Sequence, residues 1–455
     1  MDKYQPVRER LYCKGTLVNR SPLICGSGED ERTDMDFIRD AAGLPFLPGT
    51  TLAGIVRHGL ERRLGQQDKH LVALVFGERD RPFQSAVSFH DAHLVEGPSG
   101  DGCRFSLRDG VKIDHETRSA LDKAKYDFEV LEPGHRFAFC CEAVVRRSPS
   151  HGAGHDAVHR VMAGICELLE EGIALGAKTR RGFGQMRLED TRSMVLNLAD
   201  PGHVRRWIDF SWDDLNHREG LDVNGTVLGA ESRVRVEAEF DISGSLIIRS
   251  YSVDPDAPDA THVTSAGQPV VPGTSWAGAL RSAILGAGEA LDRRGTFEGW
   301  LKRLFGDVDE EAARQLRRAG RRTRGTARAS RVWIGETAVE GGKLLTCTRT
   351  KVDRFTGGVV EGALFDERPV YGGRLTLNLA LDAPEPHETA LVLLGLRELG
   401  EGIQPLGGEA GIGRGTLRLV SVSIGGERFP TMDEALSSGD YLRALYRAMQ
   451  NGGAR

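Results

Sequence analysis

Alternating apolar and polar positions predict strands that bury one face. In residues 234–242 the even positions are apolar and the odd positions are charged. Side chains of a strand point alternately to its two faces, so one face of this strand would lie on a core and the other in water. The same alternation recurs in residues 137–141 and 375–381. We therefore expect all three segments to be strands of half-buried sheets.

Apolar residues three or four positions apart predict helices between these strands. One helix follows the turn at Pro48 and carries the apolar face of residues 52–60. Thr50 or Thr51 is expected to cap it, because a hydroxyl oxygen accepts amide protons that the first helical turn leaves free. The same spacing occurs in two further segments, residues 158–168 and 391–399.

The chain contains an internal repeat, recognisable from five landmarks in the same order. These are a Pro-Gly-Thr helix start, a Phe-Gly-acid segment, a strand-like stretch, a Lys-x-Asp-x-x-Thr segment and a closing glycine loop. In the first half they occupy residues 48–50, 75–78, 85–92, 112–117 and 175–188. In the second half they occupy residues 272–274, 304–307, 330–337, 351–356 and 406–419. Five landmarks in one order indicate a duplication, and a period this long indicates two domains of one fold.

Each half predicts the order strand, helix, several strands, helix, strand. After the fourth landmark, Asp127 and Gly134 stay in step with Asp366 and Gly373. Half-buried strands with helices to one side favour an α+β sandwich over an antiparallel sheet, as in split βαβ folds. We expect a first domain at 1–191, an ordered connector at 192–230, a second domain at 231–425, and a C-terminal helix and tail at 426–455.

The totals are those of an ordinary globular protein with more than one domain. Of the 455 residues, 40% are hydrophobic and 27% are charged. No apolar run approaches the roughly 20 residues of a membrane-spanning helix, and the N-terminus lacks the apolar core of a signal peptide. The seven cysteines form no Cys-x-x-Cys pair. We therefore expect a cytoplasmic protein with free thiols, without a membrane partner or a cysteine zinc site.

The helix start, the Phe-Gly-acid segment and the closing glycine loop resemble the RAMP superfamily of CRISPR-associated proteins. Residues 34–39, followed by 43–45 and 47–49, are similar to the backbone subunits of type III (Csm/Cmr-like) effector complexes. The resemblance covers both halves, as in the tandem fusions of type III-D-like systems. It implies two RRM-like (ferredoxin-like) domains, each with a thumb hairpin that kinks a guide RNA and flips a base of the target RNA. It also implies other type III effector subunits as partners.

The same resemblance implies target RNA cleavage by an aspartate in the loop before the Pro-Gly helix, with Mg²⁺ or another divalent cation held partly by RNA. By register this aspartate is Asp34, with Asp30 and Asp36 as rivals. In the second half the strict register falls on Pro258, so Asp259 or Asp256 would have to serve. The sequence alone does not name the metal ligands. One carboxylate per cut is chemically sufficient, because RNA carries its own 2′-hydroxyl nucleophile and needs a base and charge stabilisation.

Several basic residues and glycines are candidates for RNA contact. Glycine lets backbone amides approach phosphates, and the glycine loops lie between a helix and a strand, the reverse of a dinucleotide-binding turn. Basic side chains on the Pro-Gly helices, at the start of the thumbs and beside these loops could follow the phosphate backbone. The candidates are Arg57, Lys112, His115, Lys178, Arg180, Arg181, Gly182, Gly184, Arg281, Lys351, Arg354, Gly411, Gly413 and Arg414. Structural turns and solvated charges are the ordinary alternative.

Two other groups of residues carry charge or potential ligands. The densest basic stretch, residues 314–331, contains Arg321 and Arg322 and is either an RNA-contacting arm or a solvated loop. His155 and His159 are four positions apart on a predicted helix, without the glutamate next to His155 that a metalloprotease motif requires. We interpret these histidines as ordinary polar residues.

Three alternatives to a target-cleaving subunit stay open from the sequence. One is a non-catalytic RNA-binding scaffold subunit of the same complex. Another is a RAMP-type guide-processing endoribonuclease, which would use a histidine base and no metal. A carbohydrate or nucleotide enzyme is less favoured, because no carboxylate pair or phosphate loop of that kind is present.

Overall fold

The computed structural model describes the chain in two compact units. The description leaves out residues 1–5, 27–34, 66–67, 78–83, 99–101, 115–116, 118, 147–153, 222–226, 230–231, 252–256, 292, 309–311, 313–314, 316–326 and 451–455, and the side chains of 112 and 122–124. Unit 1 comprises Met1–Arg108, Tyr126–Thr179 and Phe183–Glu231, and unit 2 comprises Asp109–Lys125, Arg180–Gly182 and Ser232–Arg455. Among the described residues, no helix combines the length and apolar character needed to cross a membrane.

The first half of the chain forms strands β1 to β9 and helices α1 to α4. The strands are Val7–Asn19, Phe46–Leu47, Val87–Phe89, Ala92–Glu96, Phe105–Ile113, Ala120–Leu131, Arg136–Arg146, Ile173–Ala174 and Gln185–Asn197. The helices are Gly49–Arg63, Lys69–Phe76, His155–Glu171 and Pro201–Ile208. The main sheet has the order β2-β4-β7-β1-β9-β8, with β3 also beside β7, and β5 pairs with β6 in a separate hairpin.

The second half forms strands β10 to β26 and helices α5 to α9. The strands are Arg233–Ser243, Ser245–Leu246, Arg249–Ser250, Ala260–His262, Thr264–Ser265, Gln268–Val271, Asp307–Val308, Ala327–Arg328, Val332–Ile334, Thr337–Glu340, Lys343–Leu344, Cys347–Val352, Val359–Arg368, Val370–Tyr371, Arg374–Asp382, Thr416–Ile424 and Glu427–Phe429. The helices are Gly273–Ala290, Arg294–Phe305, Pro386–Gly400, Met432–Ser438 and Tyr441–Gln450. The main sheet has the order β14-β15-β19-β24-β10-β25-β26, with β18 also beside β24.

The two halves have the same topology. The central order β4-β7-β1-β9 of the first sheet corresponds to β19-β24-β10-β25 of the second. In each half two consecutive helices precede the paired edge strands, a hairpin follows them, and one helix connects the last two central strands. Those central strands pair antiparallel. The predicted α+β fold, with tandem domains, antiparallel sheets and thumb hairpins, is confirmed.

Each half has its own hydrophobic core between its sheet and its helices. Phe137 and Phe139 of β7 and Val158 and Val161 of α3 are buried in the first core. In the second core, the residues of β10 with even numbers from 236 to 242 are buried together with the apolar face of α5. The predicted alternation of strands 137–141, 234–242 and 375–381 is thus confirmed, because their apolar positions face the cores.

The predicted hydroxyl cap of the first helix is wrong. Helix α1 has Pro48 as its N-cap and no side-chain cap, so neither Thr50 nor Thr51 caps it. The amide of Gly49 instead donates to Asp91 Oδ1 at 2.7 Å, and a carboxylate there also complements the helix dipole. The prediction failed because the acceptor comes from another loop.

The Pro-Gly motif has a steric reason. A Cβ on Gly49 would lie 2.4 Å from the carbonyl oxygen of Phe89 on β3, and one on Gly273 would lie 2.3 Å from that of Ile334 on β18. Real Cβ atoms do not approach an oxygen so closely. Glycine is therefore required in both halves, because each helix begins directly against the corresponding short strand.

The segments outside the repeats also pack on the cores. Strand β9 continues to Asn197, so the predicted domain end at 191 falls inside a strand. Beyond it, Phe210 stacks on Tyr12 of β1 with ring centroids 4.1 Å apart. The predicted C-terminal helix is two helices, α8 and α9, because Gly439 and Asp440 interrupt it and Asp440 has a φ of 53°.

Candidate functional site

In the first half, the loop that precedes α1 is anchored to strand β6 of the thumb hairpin. The amide of Glu129 donates to the carbonyl of Met35 at 3.0 Å. In return, the Glu129 carboxylate accepts from the amide of Phe37 at 3.0 Å and from Arg39 at 2.6 Å. This ion pair raises the pKa of Arg39. The chain that follows residue 34 is thus fixed at the root of the thumb.

Of the three candidate aspartates of this loop, the structure describes one. Asp34 and Asp30 lie outside the described residues. Asp36 is described and half-buried, one residue after the anchored Met35. Their catalytic assignment stays a prediction.

The second half repeats this arrangement beside strand β22. Strand β13 pairs in parallel with β22, with Ala260 opposite Glu367 and Thr261 opposite Arg368. Asp259 immediately precedes this pairing, is exposed, and accepts the amide of Asp366 on Oδ2 at 2.9 Å. Asp256 lies outside the described residues.

Strand pairing beside the second hairpin favours one register between the two acidic loops. Because Asp127 corresponds to Asp366, Glu129 corresponds to Arg368. Met35 lies against Glu129 in the first half, and Ala260 lies beside Glu367 and Arg368 in the second. Asp259 directly precedes the paired residue Ala260, as Asp34 directly precedes Met35 in the sequence, which favours Asp259 as the counterpart of Asp34. The strict sequence register falls one residue earlier, on Pro258, so the assignment of Asp259 stays a prediction.

Both thumb hairpins turn on the same Asp-x-x-Thr segment. Asp114 Oδ1 accepts the amide of Thr117 at 2.8 Å, and Asp353 Oδ1 accepts that of Thr356 at 2.8 Å. The backbone donors lower the pKa of Asp353. Next to this turn the aromatic ring of Phe355 is 91% exposed.

Of the basic residues predicted at the thumbs, the structure describes the side chains of the second hairpin only. Lys351 and Arg354 are exposed on the second hairpin. The side chain of Lys112 and all of His115, their counterparts on the first hairpin, lie outside the described residues. The described pair is thus placed where a passing polynucleotide could reach it.

The closing glycine loops are held by the backbone of their own halves. The amide of Gly184 donates to Pro22 O at 2.7 Å, and that of Gly415 donates to Ser245 O at 2.8 Å. Gly413 has a φ of 85° and donates its amide to Ala410 O. The expectation that the amides of Gly184 and Gly413 approach phosphates therefore has no support, because both already have acceptors.

Two other glycines of these loops complete the comparison. Gly182 has a φ of 86°, and a Cβ on it would lie 2.7 Å from the amide nitrogen of Glu336. Gly411 is exposed and has open space around it. A steric reason for glycine is thus present at Gly182, and RNA contact by either residue stays a prediction.

One pair of equivalent positions in the two loops carries side chains of opposite charge. In the first loop, Lys178 Nζ lies 3.3 Å from the ring centroid of Phe128, and burial lowers the pKa of Lys178 to about 8. In the second loop, the counterpart of Lys178 is Glu409, and that of Phe128 is Glu367. A cation against aromatic rings is thus replaced by two carboxylates.

The second loop balances these carboxylates with arginines. Arg414 is 3% exposed, and its Nη1 lies 2.6 Å from Glu409 and 3.2 Å from Glu367. Burial and the neighbouring Glu409 raise the pKa of Glu367. Burial would also raise the pKa of Glu409, but hydrogen bonds and the charges of Arg414 and Arg249 hold it below its usual value. Arg414 is therefore engaged inside the protein, and RNA contact by it has no support.

Arg180 and Arg181 are likewise engaged within unit 2. Arg180 donates to Asp382 at 2.6 Å, and its guanidinium lies 3.7 Å from the ring centroid of Trp333. Arg181 donates to the carbonyl of Val332 at 3.1 Å, and burial lowers its pKa to about 10. These side chains serve packing in this conformation, and RNA contact by them stays a prediction.

The paired arginines of the Pro-Gly helices have internal partners as well. Arg57 donates to Glu61 at 2.9 Å and to the carbonyl of Gly77 at 3.2 Å. The guanidinium of Arg281 lies 5.8 Å from the ring centroid of Phe305, and burial lowers its pKa. Both arginines fasten their helix to the Phe-Gly segment, which explains why they recur. Arg321 and Arg322 lie outside the described residues.

The sequence did not reveal the two residues that fix the acidic loops to the hairpins. Glu129 and Asp366 fix the acidic loops to the hairpins, yet neither is part of a recognisable motif. The sequence signal that could have found them is the equal spacing in both halves after the fourth landmark, where Asp127 corresponds to Asp366. The site that results is an acidic loop at the root of each hairpin, with basic and aromatic groups towards the second hairpin's turn.

Comparison with known proteins identifies the family. The family described as the RAMP superfamily matches residues 16–187 and again 244–418. Both matches together cover most of the chain, and they coincide with the two halves of the fold. The chain belongs to the RAMP superfamily and is a tandem RAMP protein.

Comparisons with individual proteins add little to this assignment. No curated protein matches the sequence. Among solved structures, the chain is similar to a chain of "Cryo-EM structure of the Type III-B Cmr-beta bound to cognate target RNA", at 17% identity and a TM-score of 0.32. The similarity covers 41% of this chain and 61% of that chain.

Proposed function

We propose that this protein is a double backbone subunit of a type III CRISPR effector complex, which binds guide RNA and cleaves complementary target RNA. Each RAMP domain presents one acidic loop to the RNA. Asp34 is the catalytic aspartate of the first domain, and Asp259 is its counterpart in the second. The partners are the guide RNA, a single-stranded target RNA and neighbouring type III effector subunits. Base pairing with the guide, rather than the protein, selects the target sequence.

One observation carries the proposal. In both halves the acidic loop is fixed at the root of a hairpin, through Glu129 in the first and through Asp366 in the second. A strand laid across a hairpin would be bent at that point, next to the loop carboxylate. Such a bend brings the 2′-hydroxyl towards the line of attack on the adjacent phosphorus, so positioning supplies much of the catalysis. A carboxylate within reach then accepts the hydroxyl proton.

Asp259 of the second loop and Asp366 of strand β22 fit a hydrated divalent cation. Asp366 Oδ1 is buried, and among the described residues it has no hydrogen-bond partner. Asp259 Oδ2 binds the neighbouring amide, and the rest of this exposed carboxylate faces solvent. Mg²⁺ prefers carboxylate oxygens and keeps several waters, so Asp259 and Asp366 would hold it together with RNA phosphates. When bound, it would stabilise negative charge on the phosphate.

Two buried histidines are poor candidates for the general base of a histidine-dependent ribonuclease. His262 accepts the amide of Ile248 at 3.1 Å and donates to the carbonyl of Val270 at 3.0 Å. His135 likewise bonds the backbone through both ring nitrogens, and burial lowers the pKa of each. Neither imidazole is therefore available as a general base. A cleavage assay on target RNA distinguishes a catalytic subunit from a non-catalytic scaffold subunit.

The test is co-purification of the assembled complex, followed by sequencing of its bound RNA and by a cleavage assay on complementary target RNA. We expect bound guide RNA in both the wild type and Asp34→Ala, and loss of one cut in the variant. Asp36→Ala is the matched control, because it removes a neighbouring carboxylate of the same loop. Unchanged cutting by Asp34→Ala would remove Asp34 from the mechanism, and absence of bound RNA would overturn the proposal as a whole.

A further inference from the structure

One group of potential metal ligands lies in unit 1 and shares no residue with the acidic loop or the hairpin. Within the part of the chain that the structure describes, a carboxylate oxygen of Glu9 and a ring nitrogen of each of His155 and His159 lie within 4.8 Å of one another. Glu9 is on the central strand β1, and the two histidines form one face of the first turns of α3. The three residues thus join the start of a helix to the sheet beneath it.

The fold explains why these three side chains meet. Glu9 lies on the face of β1 that also carries Leu11 and Cys13, and all three are buried. Further along the same pair of elements, Cys13 Sγ lies 3.2 Å from Cys166 Sγ of α3. A helix that packs along a strand brings successive turns to successive strand positions. The first turns of α3 therefore lie above Glu9.

The distances are those of ligands that share one ion. Glu9 Oε2 lies 2.9 Å from His159 Nε2 and 3.3 Å from His155 Nε2. The two imidazole rings are stacked, with centroids 4.1 Å apart. Neighbouring ligands of a tetrahedral zinc ion, bound at about 2.0–2.1 Å, are separated by roughly 3.3 Å. Small side-chain adjustments therefore suffice to admit such an ion.

The two ring nitrogens of His155 face different carboxylates. His155 Nδ1 lies 2.9 Å from Asp156 Oδ1, and an ionised carboxylate can only accept, so Nδ1 carries the hydrogen. In a neutral ring, Nε2 of His155 is then a lone pair that faces Glu9 Oε2. A metal ion between these two atoms, which lie 3.3 Å apart, would bind both of them. A carboxylate behind a ligating histidine is also the usual outer partner of a metal site.

We propose that Glu9, His155 and His159 form a binding site for a divalent transition-metal ion of the zinc class. Two imidazoles and one carboxylate suit Zn²⁺ and disfavour Mg²⁺ and Ca²⁺, which take oxygen ligands. The side chain of Glu9 is only 6% exposed, whereas that of His155 is 44% exposed. The protein therefore supplies three ligands from one side, and water completes the coordination from the other.

Bound metal would fasten α3 to β1. His159 and Glu9 are 150 positions apart in the chain, so the ion would close a long loop in the first domain. Because the unfolded chain does not preform these ligands, metal binding would stabilise the native state. This role is separate from RNA cleavage, since the site lies on the helix-covered face of the sheet.

The experiment measures Zn²⁺ binding to the untagged, full-length protein after chelator treatment, by calorimetry and by metal analysis after dialysis. We expect one Zn²⁺ per chain, a visible absorption band of tetrahedral type when Co²⁺ replaces it, and a higher melting temperature with metal. His159→Gln should lose all three responses. Asp156→Asn should bind about tenfold more weakly, because it removes only the outer partner of His155.

The controls separate a built site from general histidine binding. His58→Gln, an exposed change on α1, should bind Zn²⁺ like the wild type. If His159→Gln fails to fold, His155→Gln gives the same test, since its ring is nearer the surface. Equal Zn²⁺ binding by the wild type and both site variants would overturn the proposal, and so would a wild type that binds no Zn²⁺ while its circular dichroism is native.

Discussion

At the scale of the residue, the buried imidazole of His262 depends on staying neutral. Both of its ring nitrogens bond the backbone, and burial lowers its pKa from 6.5 to about 4. A proton on the accepting nitrogen would face the amide of Ile248. The unfolded chain takes up that proton at higher pH than the native chain does, so acid favours unfolding.

This predicts a specific acid sensitivity. Stability from His262 is complete above pH 6.5 and is lost as the pH falls towards 4, by on the order of 3 kcal/mol. In His262→Gln an amide can replace both hydrogen bonds without titrating, so the free energy of unfolding should change less over this range. Urea unfolding at several pH values measures the difference. His217→Gln, an exposed change, should keep the wild-type slope, and equal slopes in all three proteins would contradict the assignment.

The residues whose internal partners the sequence did not reveal share one property. Arg180 and Arg181 have partners 202 and 124 positions away, and no local pattern shows a partner at that distance. The pair His155 and His159 looked ordinary for the same reason, because Glu9 is remote in the chain.

At the scale of the element, the Pro-Gly helix start is the most constrained part of the fold. The sequence predicted the helix and its repetition, because apolar spacing and the turn are local properties. It could not predict the cap, since Asp91 supplies the acceptor from another loop. It also could not show why glycine follows proline, since that reason lies in the approach of the helix to β3.

Two alanine substitutions in the same helix should have opposite effects. Gly49→Ala places a Cβ 2.4 Å from the carbonyl oxygen of Phe89, so we expect a loss of about 1–3 kcal/mol in the free energy of unfolding. Gly54→Ala has open space and should gain about 0.5–1 kcal/mol, because alanine is the better helix former. Denaturant unfolding of the two variants measures both. Equal effects would show that the close approach of α1 to β3 is not what requires Gly49.

The exposed basic residues of the second hairpin are expected to affect RNA binding and not stability. Lys351 and Arg354 are exposed next to the turn of the second hairpin. If they contact phosphates, Lys351→Ala and Arg354→Ala should each weaken RNA binding and lower the slope of log affinity against log salt by about 0.7. Their melting temperatures should stay unchanged.

The control for this test removes an equal charge elsewhere. Arg418 is exposed and pairs with Asp241 on the main sheet of the second half, so Arg418→Ala should leave the salt slope unaltered. An equal drop in slope for all three variants would indicate a general charge effect. That result would contradict a specific path of RNA along the hairpin.

At the scale of the whole molecule, duplication has kept the fold and changed the loops. The sheet order, the Pro-Gly helices and the Asp-x-x-Thr turns are the same in both halves. The closing loops differ, with Lys178 on aromatic rings in one and Glu409 among arginines in the other. Geometry that positions the acidic loops is therefore shared, while the charge around them is not.

The shared geometry of the two acidic loops predicts how the cleavage products depend on each half. If both acidic loops cut, Asp34→Ala and Asp259→Ala should each remove one product boundary from the target RNA, and the double variant should remove both while guide RNA stays bound. The boundaries should be distinct, because each loop lies at its own hairpin. Sequencing gels of end-labelled target measure this.

Loss of all cutting in a single variant would show that one half alone is catalytic. If Asp34→Ala were that variant, the carboxylates of Asp259 and Asp366 would have to serve binding only, and their substitution would then weaken RNA affinity without changing the products. Because the charge environment differs between the halves, the two cuts should also differ in rate. Equal rates at both boundaries would mean that loop geometry, which the halves share, outweighs the exchange of Lys178 for Glu409.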